Sequence, residues 1–426
     1  MTTVSPLETE ASDHDAPVRG ANWSLALLLA INLFNYIDRY VLAAVVPSIK
    51  AEFHLTNAQM GRAGTVFLLS YMLIAPIFGM LADRVSRWLL VGVGVLLWTL
   101  ASGATGLATS YGILLFTRCF VGVGEAAYGP VAPTILSDLY PVKNRGRVLS
   151  WFYMAIPVGS ALGYGLGGAF HSWRTAFFAV VPPGILLGIW SLLMKDRRSG
   201  EGDIAPPRKA TFADYGILLK TKSYVFDTLG MAAMTFAIGG IAFWMPDYIN
   251  ERYKASGHPQ SLAFINTMFG GITVVSGLVA TLAGGMVGDW FRKRHSGSYF
   301  IVSGIAMLLA FPLLLAVLHA PFPIAWVLIF LTVFCLFFNT GPTNAILANV
   351  THPSIRATGF AINIFIIHLL GDAASPWLIG KIADKTSMNI AFTVVSFMIL
   401  VGGIIWIWAA RYLGEDTEMA PKRLAI

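Results

Sequence analysis

Asn32-Leu-Phe-Asn35-Tyr36-Ile-Asp38-Arg39-Tyr-Val-Leu-Ala-Ala-Val-Val-Pro47 closes an apolar run that starts at Trp23 and holds no other charge. The run is of membrane-spanning length, since about 20 apolar residues cross a hydrocarbon core. A carboxylate or guanidinium at mid-bilayer costs about 2.5–3.5 kcal/mol on insertion scales, so such a group faces a bundle interior or a water-filled cavity and marks a transport path or proton relay. On a helix Asn32, Asn35, Tyr36 and Arg39 fall at i, i+3, i+4 and i+7 and share a face, with Asp38 one turn on from Asn35. That face is too polar for lipid.

The rest of the chain agrees. Its 426 residues are 56% hydrophobic and only 12% charged, about half the charge of a soluble domain. Apolar segments recur at 23–47, 63–82, 88–108, 111–136, 150–170, 174–194, 223–246, 263–288, 299–319, 323–348, 357–380 and 389–410, which reads as twelve spans. The net charge of +7 has a topological meaning. With both termini cytoplasmic, Lys50, Arg62, Arg174, Arg252, Lys254, Lys381 and Lys385 lie outside, Arg39 and Arg118 lie within spans, and all other basic residues lie inside. The positive-inside rule favours this even-span topology, and no basic patch remains for nucleic acid. Residues 1–22 lack a basic region followed by a cleavable apolar core and read as a disordered cytoplasmic tail. The two cysteines, Cys119 and Cys335, sit inside spans, so neither a disulfide framework nor a metal cluster is expected.

The domains expected are a tail at 1–22, a six-helix bundle at 23–194, a cytoplasmic linker at 195–222, a second six-helix bundle at 223–410 and a cytoplasmic tail at 411–426. The linker is the longest polar stretch and is predicted to carry an interfacial helix near Phe212 to Leu219. The halves repeat locally. Gly79-Met-Leu-Ala-Asp83-Arg84-Val-Ser-Arg87 follows span two and Gly285-Met-Val-Gly-Asp289-Trp-Phe-Arg292 follows span eight, while Arg145 precedes span five as Arg356 precedes span eleven. Parallel six-helix repeats predict a midplane binding site between the halves and alternating access by rocking.

Gly79-x-x-x-Asp83-Arg84-x-x-Arg87 resembles the loop 2–3 signature of the major facilitator superfamily, with Ser86 where that pattern has glycine. Within that superfamily, the NYIDR stretch, Arg118-x-x-x-Gly-Val-Gly-Glu125-Ala-Ala-Tyr128 and Tyr153-x-x-x-Pro157-x-Gly159-Ser160-x-x-Gly163 are similar to the spinster family. The resemblance runs from the first span to the last, with its sharpest motifs in the first half. It implies an all-α membrane protein with the superfamily fold, and a lysolipid substrate such as a lysophospholipid or sphingosine 1-phosphate. The chain is read as a bacterial-type member in the inner (plasma) membrane, working as a monomer with no cofactor, its partners being the substrate, protons and the bilayer.

Arg118 and Glu125 are seven residues apart on span four, on one face and about 10 Å apart along the axis. At that depth loss of water favours a neutral carboxyl and a nearby arginine a charged one, a competition that suits a proton carrier. Asp38 and Glu125 are therefore the proton-coupling candidates, against a reading of Asp38 as a permanent packing salt bridge to Arg39 or Arg118. Arg39, Arg118, Asn35, Tyr36, Tyr128, Tyr153, Asn339, Asn363 and His368 are candidates for substrate binding or coupling. His368 and Asp372, at i and i+4, form either a second relay or a satisfied interior pair. Asp83, Arg84, Arg87, Arg145, Arg147, Asp289, Arg292 and Arg356 are candidate gate residues, against a reading as topogenic charge. Gly122-Val-Gly124-Glu-Ala-Ala127 matches a dinucleotide fingerprint in letters only, because that motif needs a preceding strand; here the small residues allow close packing. Gly159, Gly163 and Gly167 continue this pattern on span five.

No H-E-x-x-H, G-x-S-x-G or Walker A sequence occurs, so an enzyme is not expected and energy must come from a gradient, protons before sodium. A cationic headgroup would pair with Asp38 or Glu125 and a phosphate with Arg39 or Arg118. The leading reading is a proton-coupled transporter of a lysolipid. Its competitors are a carrier of small organic anions such as sugar acids, a multidrug exporter, a lipid scramblase and a non-transporting receptor.

Overall fold

The computed structural model describes residues 20–82, 84–140, 142–195, 212–352 and 355–423, and these are almost wholly helical. In chain order the helices are α1 (Ala21–Ala44), α2 (Val46–Phe53), α3 (Asn57–Ala82), α4 (Arg87–Gly106), α5 (Tyr111–Ala126), α6 (Ala132–Leu139), α7 (Val142–Ala169), α8 (Trp173–Ala179) and α9 (Val181–Leu193). They continue with α10 (Phe212–Lys220), α11 (Lys222–Ala255), α12 (Leu262–Arg292), α13 (Ser298–His319), α14 (Ile324–Phe338) and α15 (Thr340–Val350). The last are α16 (Arg356–Ile367), a π turn at His368–Asp372, α17 (Ser375–Lys385), α18 (Met388–Ala409) and α19 (Leu413–Met419).

Four of the long helices start at a serine whose hydroxyl accepts a backbone N–H three residues on: Ser86 from Leu89, Ser110 from Ile113, Ser261 from Phe264 and Ser387 from Ile390. Each cap satisfies one of the donors that the first helical turn leaves open. Ten stretches among the described residues are long and apolar enough to cross a membrane. The other two spans read from the sequence correspond to α5 with α6 and to α7. Many of the large apolar side chains on these helices point outward, including Leu73, Met80, Leu193, Leu282 and Met286. Acyl chains would meet them without the cost that water imposes.

Contacts divide the chain into two compact units. Unit 1 comprises residues up to Val41, Ser70–Gly163 and Phe170–Pro206. Within it α4 packs against both α5 and α9. Close approach depends on small residues: a Cβ on Gly124 would lie 2.6 Å from the Trp98 nitrogen, and one on Gly159 would lie 2.6 Å from the Tyr36 Cβ. The glycines of the false fingerprint and of the span-five stripe thus bring α5 to α4 and α7 to α1.

Unit 2 comprises Leu42–Leu69, Tyr164–Ala169 and Pro207–Ile426. Its longest helix, α11, packs along α18, which also meets α13. Trp244, Trp406, Tyr224, Phe300 and Phe392 fill its core. A Cβ on Gly284 would lie 1.7 Å from the Phe338 carbonyl oxygen, which fixes glycine where α12 meets α14. Two expected spans are broken: α14 gives way to α15 at buried Asn339, and α16 gives way to the π turn, where Gly371 leaves helical geometry (φ −96°, ψ −106°).

Candidate functional site

Unit 1 concentrates its buried charge where α1, α4 and α5 meet. Asp38, Arg118 and Glu125 are at most 2% exposed, and the Arg39 side chain retains 19%. Arg39 pairs with Glu125, with Nη2 2.6 Å and Nε 2.7 Å from Oε2. Two nitrogens on one oxygen make a charge-assisted contact that holds the guanidinium in a fixed plane. The same guanidinium lies 5.3 Å from the Tyr36 ring centroid and 5.5 Å from that of Tyr71. Among the four charged groups, Arg39 is the least buried.

Asp38 takes a different partner. The Ser102 hydroxyl of α4 donates to its Oδ1. Arg118, Glu125 and Arg39 are its charged neighbours. The permanent Asp38–Arg39 bridge weighed from the sequence is not the arrangement found, because Arg39 is turned to Glu125 on α5. Asp38, Arg39, Arg118 and Glu125 form one electrostatic network with two carboxyls and two guanidiniums, so a proton or a ligand charge arriving at one member changes the energy of all.

Other expected residues occupy various places. Asn35 is buried in the same unit, and Asn32 Nδ2 donates to the Phe152 carbonyl at 2.7 Å. The Tyr128 hydroxyl donates to the Leu28 carbonyl at 3.0 Å, a contact that ties the end of α5 to α1. Tyr153 is exposed and packs edge-on against Phe152. In unit 2, Asn339 Nδ2 donates to Leu336 O at 2.6 Å, and Asn363 Nδ2 donates to Thr228 Oγ1 at 3.0 Å. His368 Nδ1 and Asp372 Oδ1 are hydrogen-bonded at 2.9 Å across the π turn.

Of the expected gate residues, Asp83 and the side chains of Arg145 and Arg147 lie outside the described residues. Arg84 and Arg356 are exposed. Arg87 pairs with Asp138 of α6, joining the start of α4 to the end of α6. Asp289 accepts a hydrogen bond of 2.6 Å from the Tyr299 hydroxyl, and Arg292 donates to that oxygen at 3.3 Å, so tyrosine links both charges to α13. Unit 2 holds a further set that the sequence reading gave no role: Lys50 Nζ lies 2.7 Å from Asp247 Oδ2, and the Asp384 carboxylate accepts the Asn57 and Ala58 backbone N–H groups at 2.8 Å each.

In unit 1, Tyr71, Ser102 and Asp138 are among the participants that the sequence did not single out. Ser102 had a signal, as the middle of a Thr99, Ser102, Thr105 series at helical spacing in an otherwise apolar span. Asp138 had one too, as the single acidic residue between Glu125 and Asp196.

Comparison with known proteins agrees with this architecture. The profile of the Major Facilitator Superfamily matches residues 28–376. Protein spinster homolog 1 of Xenopus tropicalis is 33% identical over 92% of this chain and 81% of its own length. The sphingosine-1-phosphate transporter SPNS2 of Danio rerio is 32% identical over 92% and 84% respectively. Among solved structures, a bacterial homolog of the human lysosomal transporter Spinster, inward-facing and unoccupied, superposes with a TM-score of 0.83 at 20% identity, covering 93% of this chain and 98% of that one. The D-xylose-proton symporter follows the same fold with a TM-score of 0.69 at 19% identity, over 92% and 96%. The superfamily match and the identity with spinster homologs over nearly the whole chain have one reading: the protein is an integral membrane protein of the spinster family, within the major facilitator superfamily.

Proposed function

We propose that the protein is a proton-coupled secondary transporter that moves a lysolipid by alternating access. The observation that carries the reading is the Arg39–Glu125 pair beside Asp38 and Arg118, a buried network of balanced charge inside membrane-spanning helices. An intramembrane ionisable group is retained for a substrate or proton path, since packing alone is met more cheaply by apolar residues. A relative 32% identical bears the name of a sphingosine-1-phosphate transporter, which supports an amphipathic phosphate as substrate.

The proposal includes a coupling rule. Glu125 holds the Arg39 guanidinium through Nη2 and Nε, so a substrate phosphate reaching Arg39 would compete with that carboxylate. A proton on Glu125 removes the competitor. Protonation of Glu125 and phosphate binding at Arg39 therefore strengthen each other, as reciprocal linkage requires. At Asp38 the sign is opposite for an ammonium group, which competes with a proton for the same carboxylate.

In the proposed topology, with both termini cytoplasmic and the protein a monomer in a bacterial inner membrane, the two six-helix halves at 23–194 and 223–410 rock about the substrate. The proposed inner gate is made of Asp83, Arg84, Arg87, Arg145, Arg147, Asp289, Arg292 and Arg356. In that topology Lys50 with Asp247, and Asp384 with the start of α3, would lie on the outer side, and they are proposed as the outer gate. If Lys50–Asp247 favours the outer-closed state by about 1.4 kcal/mol, Asp247→Asn changes the conformer ratio about tenfold. A cysteine on the outer half of the path should then be labelled faster and one on the cytoplasmic half slower. Equal labelling of variant and parent would reduce the pair to topogenic charge.

The substrate class is tested by uptake into proteoliposomes of labelled lysolipid, sugar acid and cationic dye, with and without a pH gradient. The reading expects gradient-stimulated movement of the lysolipid and little of the other two. Preference for the sugar acid or the dye would assign a small-anion carrier or a multidrug exporter, transport indifferent to any ion gradient a scramblase, and none at all a receptor.

A further inference from the structure

Asp227 stands outside everything used so far. It lies in the second turn of α11, about 7.5 Å along the axis from Lys222 at 1.5 Å per residue. It is 0% exposed, and neither carboxyl oxygen has a hydrogen-bond partner among the described residues. A buried carboxylate with no donor and no counter-charge costs several kcal/mol even after relaxation, so such a group normally takes up a proton.

Among the described residues no ion pair to the Asp227 carboxyl is found. On α11 itself Tyr224 gives its hydroxyl to the Gly359 carbonyl at 2.6 Å. From α18, which has no acidic or basic residue, the Trp406 indole N–H meets the Asp227 backbone carbonyl at 3.4 Å and leaves the side chain alone. Asp416, next to the start of α11, accepts the Ser223 N–H at 2.8 Å and pairs with Arg423. Lys220 of α10 and Arg356 of α16 are exposed. Farther along α11, His368 and Asp372 hold each other near Gly239, and Asp247 holds Lys50.

A second observation lies one turn earlier. Ser223 is fully buried, its hydroxyl also lacks a partner among the described residues, and at i−4 it shares a helix face with Asp227. Its hydroxyl can both donate and accept, which makes it a step toward the cytoplasmic end of the helix.

We propose that Asp227 is a proton-binding site of the second half, separate from Asp38 and Glu125, occupied in the conformation seen here and emptied through Ser223 when the start of α11 becomes hydrated. It would add one proton to each transport cycle. The inference rests on the proton-coupled reading above and extends it to a residue that reading does not use.

The experiment is the proton-to-substrate ratio, obtained in proteoliposomes from the membrane voltage at which net lysolipid flux reverses, for the parent, Asp227→Asn and Asp227→Glu. The amide copies the shape of a protonated acid, so the first variant should fold. It should move one proton fewer per substrate, and the glutamate variant should restore the parental ratio. Infrared spectra at neutral pH should show a protonated-carboxyl carbonyl band that the asparagine variant loses and the glutamate variant shifts, which serves even if one variant transports poorly. An unchanged ratio in Asp227→Asn, a band unaffected by either substitution, or a ratio that follows sodium in place of protons would overturn the proposal. A parent whose flux ignores the pH gradient, or follows sodium in place of protons, would overturn the proton-coupled reading as well, whereas an unchanged ratio in Asp227→Asn or an unaffected band leaves that reading intact.

Discussion

Asp38→Asn should abolish substrate accumulation driven by a pH gradient while leaving a folded protein. Asparagine keeps the volume of aspartate and can still accept the Ser102 hydroxyl at its amide oxygen, so the contact between α1 and α4 survives. It can neither carry a proton nor balance the neighbouring Arg118 charge. The expected loss is at least tenfold in gradient-driven uptake, with a parental elution profile in detergent. Full gradient-driven uptake in this variant would return Asp38 to the role of a packing residue.

Glu125→Gln is expected to act differently, because Glu125 holds Arg39. Glutamine still offers an oxygen to the guanidinium, but the attraction between opposite charges is lost and a hydrogen bond from a cation to a neutral acceptor remains. Arg39 is then always available to a phosphate. Substrate affinity should rise or hold and become independent of pH, exchange of internal for external lysolipid should persist, and net uptake should lose its response to the pH gradient. Measuring exchange and net uptake on the same vesicles separates these effects. A variant with parental pH-driven net uptake would remove Glu125 from coupling, and one that had lost exchange as well would make the pair a structural clamp.

Much of this was legible in the residues. Charges inside apolar runs are rare enough that Asp38, Arg39, Arg118 and Glu125 stand out by type and position alone. Their pairing did not, because a helix face shared by Asn35, Tyr36 and Arg39 says nothing of how α1 is rotated against α4 and α5. That rotation gives Glu125 to Arg39 and Ser102 to Asp38. The spans themselves were found because about 20 apolar residues leave a clear pattern, but their ends were not. The run read as 223–246 continues as helix to Ala255, since helix is the cheapest way to satisfy backbone groups as the chain leaves the hydrocarbon. The break at Asn339 falls where Gly341 and Pro342 interrupt the run read as 323–348, whereas the π turn at His368–Asp372 left no mark in the sequence, because one extra residue in a helical turn does not alter the apolar run around it. Least legible was the packing of Leu42–Leu69 with residues far along the chain, where Lys50 finds Asp247 and Asp384 caps α3, because no local pattern encodes partners in distant segments.

The central claim, that the buried network in unit 1 couples proton movement to substrate movement, is tested most directly by following internal pH in proteoliposomes when labelled lysolipid is added with no gradient imposed. The account expects lysolipid flux to drive a proton flux in the parent protein and to drive none in Asp38→Asn/Glu125→Gln. Lysolipid movement in the parent without any change of internal pH, or an undiminished proton flux in the double variant, would contradict it.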